Sequence, residues 1–287
     1  MEDKPVNRVT ATALGQALET FIGVVIEWMS HYAFEPFGVE VAFGGKEPKI
    51  PAWEIELPKQ GKMVFNGIID RVDLYEAEGH PSLAIVIDYK SGKKKPDERL
   101  SWNGVQLQLP VYLNVLNHAG SNKALGGGPI QPVGAFFTTL RSRYEGKSSR
   151  TEALHPEAAM ESVRKAYQHV GCFDLNVLSA MDQRDGATKG EQFQYQLTKN
   201  GSPHKKNWHV MAPKKFDHFL TRTRDLLSTF GQRIFEGDLD ISPYQHSKQT
   251  PCMKCDYASV CRIDPWTQDW RQLEAPMYGK SPCEENP

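Results

Sequence analysis

The chain has 287 residues, 39% hydrophobic and 24% charged, an ordinary globular composition that excludes disorder. A formal net charge of −1 announces no general affinity for nucleic acid, and apolar runs such as "FIGVVI" at 21–26 are too short to span a bilayer. The start "MEDKPVNRV" lacks the basic and apolar parts of a secretion signal, so a soluble, cytoplasmic protein with no membrane partner is expected.

In chain order, residues 12–32 read as an amphipathic helix, with Leu14, Leu18, Phe21, Ile22, Val25, Ile26 and Met29 at three- and four-residue spacing. "EPFGVEVAFGG" follows, extended and broken by Pro36 and its glycines. Two strands come next: "MVFNGIIDRVDLYE" at 63–76, and "LAIVIDYK" at 83–90, whose continuous apolar body is that of a buried central strand. Residues 96–119 look helical over most of their length, with Pro110 as a kink or offset. "PVGAFFTTL" at 132–140 is another apolar strand, and 156–170 a helix. Phe193, Tyr195 and Leu197 alternate before Asn200-Gly201, which reads as a hairpin within 192–211. A long helix over 214–236 puts Phe216, Phe219, Leu220, Leu227, Phe230 and Ile234 on one side. There is no internal repeat and no GxxxxGK[ST] phosphate loop, hence no motor of the chain's own. The class is α/β or α+β. Residues 1–45 are expected to lead into the core, 46–240 to form it, and 241–287 to make a cysteine-bearing segment with an acidic tail.

Local charge is less even than the total. Lys199, Lys205, Lys206, Lys214 and Lys215 surround Trp208 with no acid among residues 199–215. Arg141, Arg143, Lys147 and Arg150 face one Glu145. Such patches suit a phosphate backbone, although a charged loop is more often simply solvated. Five cysteines is an odd number for a disulfide framework, and Cys252, Cys255 and Cys261 form a C-x2-C-x5-C array. Three thiolates this close can share one metal centre.

The chemistry concentrates where two strands end. Asp88 and Lys90 are two apart and project to one face. If the strands pair as a hairpin, Asp70 in "GIIDRVD" approaches Asp88 at the sheet end. Two close carboxylates need a cation between them, and oxygen ligands select Mg²⁺ or Mn²⁺. A lysine beside that ion would offset charge growing on a phosphate. An exposed Asp/Lys pair at a strand edge would be worth under about 1 kcal/mol and mean nothing. Here Gln108 and Tyr112, four apart on the next helix, add a second pair on one face.

"GIIDRVD", "VIDYKSG" and "GVQLQLPVYL", in that order, resemble the nuclease domain of the RecB and AddB group within the PD-(D/E)xK superfamily, most closely the C-terminal domain of AddB-type helicase–nuclease subunits, over residues 35–265. The resemblance implies a restriction-endonuclease-like core, a mixed central sheet flanked by helices, and metal-dependent hydrolysis of DNA phosphodiesters. On it Asp70 and Asp88 match the metal-binding acids, Lys90 the catalytic lysine, and Gln108 and Tyr112 the helix that steadies the site. The Tyr89 carbonyl and Glu40 are further metal ligands, and Asp73 is a structural acid paired with Arg71 or a nearby base. Lys93, Lys94, Lys95, Lys205, Lys206 and Trp208 are expected to contact DNA.

The cysteine spacing resembles the array that follows the core in AddB-type subunits and in CRISPR adaptation nucleases, where it supplies three of four ligands to a 4Fe–4S cluster. Zinc, with His246 completing a Cys3His site, is the alternative. The chain departs from the family twice: no cysteine precedes Cys172, and its early histidine, His31, lies only nine positions before Glu40. Cys172, Cys283 or another chain would have to supply the fourth ligand. The expected function is a Mg²⁺- or Mn²⁺-dependent single-strand exonuclease in double-strand break repair and recombination, working with an AddA-like partner. The alternatives are a non-catalytic DNA-binding or assembly module and a stand-alone CRISPR-adaptation-type exonuclease.

Overall fold

A computed structural model describes residues 5–76, 80–92, 94–119, 128–140, 149, 151, 155–204, 208–247, 249–264 and 266–278. Helix α1 (Pro5–Met29) precedes strands β1 (Glu35–Phe43), β2 (Trp53–Glu56), β3 (Lys62–Phe65), β4 (Gly67–Tyr75) and β5 (Ser82–Lys90). Then follow α2 (Glu98–Trp102), α3 (Gln108–Ala119), β6 (Ile130–Thr139), α4 (Pro156–Tyr167) and β7 (Val170–Asp174). The chain continues through a short α5 (Leu178–Met181), β8 (Val210–Met211), the long α6 (Pro213–Phe235) and α7 (Ala258–Cys261).

Six strands form one sheet in the order β1-β4-β5-β6-β7-β8, and β2 and β3 make a separate ribbon. The β5–β6 and β7–β8 pairs are parallel and the others antiparallel, a mixed sheet as expected. At its centre Ala84, Ile85, Val86 and Ile87 of β5 are each at most 1% exposed. Burying a single isoleucine side chain contributes roughly 1.5–3 kcal/mol, so this strand is a rigid base for whatever stands at its end. One face packs α3 and α6 through Leu113, Leu116, Phe216 and Phe219; the other is filled by Tyr32, Phe34, Phe136, Phe173 and Phe193.

Several boundaries differ from the sequence reading. The run 63–76 is two strands in two sheets, parted at Asn66. The helix 96–119 is also two, and the break falls at Asn103–Leu107 rather than at Pro110. There Gly104 takes φ +76°, and the N–H groups of Val105 and Gln106 both donate to the Leu100 carbonyl. Pro110 sits in the first turn of α3, where no intrahelical N–H bond is lost, and causes no kink. The expected hairpin at 192–211 is irregular: Leu197 bridges Pro203 around Gly201, while Val210 and Met211 leave it to pair with β7.

Helix α1 buries only part of the side its spacing suggested, Phe21 and the half-buried Val25, together with Val24 and Trp28 outside it. Phe21, Val24 and Trp28 pack with Tyr167, whereas Leu14, Leu18, Ile22, Ile26 and Met29 are exposed. The run Val6–Met29 is long and apolar enough to cross a membrane by length and composition, which the short apolar stretches in the sequence did not suggest. Ile234 at the end of α6 is likewise exposed rather than in the core.

Candidate active site

The apolar body of β5 stops at Ile87, and Asp88 behind it is still only 1% exposed. The last registered pair of the β4–β5 ladder is Arg71 with Ile87, so Asp70 and Asp88 come next on the two strands as they part. Parting frees the Tyr89 N–H, which donates to Asp70 Oδ2 at 2.8 Å. Period-two geometry puts Lys90 on the side of Asp88, and its Nζ lies 2.5 Å from Asp88 Oδ2. The other oxygen, Oδ1, accepts Gln108 Nε2 at 2.6 Å. Gln108 Nε2 also donates to Tyr112 Oη at 3.2 Å, and that hydroxyl donates to the Ile68 carbonyl at 3.0 Å. The first turn of α3 is thus tied to both strands that carry the acids.

The electrostatics follow from burial. Desolvation raises the pKa of Asp88; the Lys90 ammonium beside it opposes the rise, and the Asp70 charge adds to it. Burial likewise raises Tyr112, which keeps its hydroxyl a donor. Although Lys90 is in ion-pair contact, Asp88 Oδ2 is buried and receives no directed hydrogen bond. A desolvated carboxylate oxygen with an uncommitted lone pair, next to a second carboxylate, is a donor set suited to a hard divalent cation. Asp70 and Asp88 fit such an ion.

Glu40 occupies the gap between the pairs Val39–Arg71 and Val41–Ile69, at the level of Asp70 on the neighbouring strand. It is exposed and has φ +49°, a left-handed conformation uncommon for a residue with a side chain. Asp73 is fully buried and takes both arms of Arg71, at 2.6 and 2.8 Å, with Tyr32 donating to it at 3.0 Å. Arg71 also donates to the Tyr89 hydroxyl at 3.3 Å. This network braces the back of the two strands.

Phe137 belongs to the site although its apolar stretch reads only as core. It pairs with Asp88 across β5–β6, and the ammonium groups of Lys90 and Lys94 lie 5.3 and 5.1 Å from its ring centre. A cation over an aromatic face is an arrangement that sequence spacing does not reveal. Lys94 is close enough to oppose the rise at Asp88, and Lys95 is exposed. Trp208 is half-buried in the same neighbourhood as Lys94 and Gln108. Lys93, Lys205 and Lys206 lie outside the described residues, as do Arg141, Arg143, Lys147, Arg150 and Cys283.

The expected cysteine-rich metal centre is not seen among the described residues. Among the described residues no group of three or more His, Cys, Asp or Glu is placed to hold a metal. Cys252 and Cys261 are half-exposed and Cys255 is exposed, while His246 faces Asp97 at 3.3 Å. Cys172 is buried in the core, its thiol pushed up to about 12 by desolvation. As placed, Cys252, Cys255 and Cys261 are not gathered with His246 or Cys172 into one metal-holding group. His31 is exposed.

The family model described as "PD-(D/E)XK nuclease superfamily" matches residues 4–262. The chain is 31% identical over 276 residues to an ATP-dependent helicase/deoxyribonuclease subunit of Symbiobacterium thermophilum, covering 94% of this chain and 23% of that protein. It is 33% identical over 241 residues to the helicase/deoxyribonuclease subunit of the same name from Oceanobacillus iheyensis, covering 83% and 20%. With its namesake from Caldanaerobacter subterraneus subsp. tengcongensis it shares 30% over 275 residues, covering 93% and 23%. The chain therefore spans less than a quarter of the length of these relatives. With two acids at the ends of parting strands, a lysine beside one of them and a matched family model over most of its length, the chain belongs to the PD-(D/E)XK nuclease superfamily.

Proposed function

We propose that this chain is a Mg²⁺- or Mn²⁺-dependent deoxyribonuclease that digests single-stranded DNA from an end, in double-strand break repair and recombination. The observation that carries the reading is the linked set Asp70, Asp88, Lys90, Gln108 and Tyr112 at the parting of β4 and β5. The relatives named as helicase/deoxyribonuclease subunits support DNA as the substrate and an AddA-like helicase–nuclease partner.

Asp70 and Asp88 would hold the cation, with the Tyr89 carbonyl as a further oxygen donor; Glu40 would join them only by moving, since among the described residues no third acid is grouped with the pair. Bound there, the ion would screen phosphate charge and acidify water. Lys90, held beside Asp88, is the side chain that offsets negative charge growing on the phosphate. Gln108 fixes one oxygen of Asp88, and Tyr112 fixes Gln108, so the carboxylate keeps one orientation through the reaction. Water adds to phosphorus, the P–O ester bond breaks and the departing oxygen takes a proton, with no covalent enzyme intermediate.

The test compares end-labelled single-stranded DNA with the same sequence as a blunt duplex, each with Mg²⁺, Mn²⁺ or EDTA. Metal-dependent shortening of the single strand, faster than of the duplex, is expected. Intact DNA under all conditions, from folded protein, would turn the reading to a non-catalytic DNA-binding module.

A further inference from the structure

Beside Asp88 a cleft of about 180 Å³ opens between the start of α3, β6, β7, α6 and Trp208. Its rim carries Lys94, Gln108 and Trp208, and Phe137, Cys172 and Phe219 lie deeper. Phe219 and Cys172 are at most 2% exposed, so the floor is apolar, whereas the rim residues are half-buried or exposed. Gln108 joins this cleft to the reacting centre directly, because its amide nitrogen is committed to Asp88 at 2.6 Å. Lys94 joins it a second way, standing over the Phe137 ring at 5.1 Å while acting electrostatically on Asp88.

We propose that the cleft seats one unpaired nucleobase of the strand whose phosphate lies at Asp88 and Lys90. The inference rests on the nuclease reading and adds to it a physical basis for strand choice. A flat heteroaromatic ring suits a slot with an indole at its rim, an amide edge and an apolar floor, and stacking of this kind tolerates any base. A base inside a duplex is stacked on both faces and paired at its edge, and it enters such a slot only after leaving the helix. Lys94 at the rim carries the charge that suits the adjoining phosphate.

The experiment uses the full chain and short single-stranded oligonucleotides, each carrying one abasic site at a successive position. Affinity is measured without divalent metal, so that nothing is cut. Removing the seated base should weaken binding between about 5- and 150-fold, the range of a lost base–aromatic stack, at one position and not at the others. Trp208→Ala should weaken binding of the intact strand by a similar factor while leaving that one abasic strand unchanged. Equal affinity along the whole series, or equal loss at every position, overturns the base seat. Cleavage by the wild-type and Asp88→Asn proteins separates this failure from failure of the nuclease reading. A flat series with Asp88-dependent cutting removes only the seat, whereas cutting that survives Asp88→Asn removes the catalytic centre beneath it.

Discussion

Asp88 is buried where a carboxylate is least comfortable, and three neighbours make that position tenable. Lys90 meets one oxygen, Gln108 the other, and the end of the ladder leaves room beside Asp70. Each neighbour has a separable effect. Gln108→Leu removes the donor to Oδ1 without touching the strands, so the protein should fold while the turnover rate falls about 10- to 100-fold, the usual effect of losing a group that orients a ligand. Steady-state cleavage alongside circular dichroism checks both halves. Lys90→Met removes the positive charge next to a buried acid. Asp88 then takes up a proton more readily instead of remaining a bare buried charge, so cleavage should be lost near neutral pH with the fold retained. Cutting at the wild-type rate by Lys90→Met would rule out a role for the ammonium in the reaction.

Elements decide how those residues meet. The turn at Asn103–Leu107 swings α3 so that Gln108 begins a helix at the sheet end, and Gly104 makes the turn possible. Its φ is +76°, and a Cβ there would collide with the Phe230 ring on α6. Gly104→Ala should therefore lower stability by at least about 1–2 kcal/mol from the backbone alone. Chemical unfolding would show this, and an unchanged midpoint would contradict the described turn. On α1, Phe21→Ala should cost about 3–5 kcal/mol and Ile22→Ala under about 0.5 kcal/mol, since only Phe21 packs on Tyr167.

That contrast on α1 also marks what was legible in the sequence. β5 could be read because burial on both faces leaves a continuous apolar run, and its polar end stood out against it. The pair Gln108 and Tyr112 could be read because helical spacing alone puts them together. The packed side of α1 could not, because apolar residues surround most of that helix and periodicity fails to separate a docked face from an exposed one. The boundary inside 63–76 was hidden for a related reason: residues of two different sheets share one alternation. The left-handed Glu40 and the cation-bearing face of Phe137 depend on tertiary approach, which leaves no local pattern. The cysteine array was plain as spacing, yet among the described residues it does not close around a metal.

At the scale of the whole molecule, acidity should weaken the fold through His169. The ring is buried between Trp28 and Phe193, at 5.7 and 5.3 Å, and its Nδ1 lies 2.8 Å from Thr138 Oγ1 and 3.2 Å from the Tyr167 carbonyl. Burial lowers its pKa from 6.5 to about 3. The unfolded chain binds this proton near pH 6.5 and the native chain does not. Its contribution to stability is thus complete above pH 6.5 and is lost progressively as pH falls toward 3. The slope from this group is about 1.4 kcal/mol per pH unit. Urea unfolding between pH 7 and 5 should fall less steeply in His169→Gln than in the parent, whatever that variant's absolute stability; parallel slopes would contradict a neutral buried imidazole.

The most direct test of the catalytic centre is cleavage of end-labelled single-stranded DNA in Mg²⁺ or Mn²⁺ by the parent protein and by Asp88→Asn, each shown to be folded. The carboxamide keeps the shape of Asp88 and removes its charge. Metal-dependent cutting by the parent and none by Asp88→Asn is the predicted result. Equal cutting by both would place the chemistry elsewhere in the chain and contradict the account.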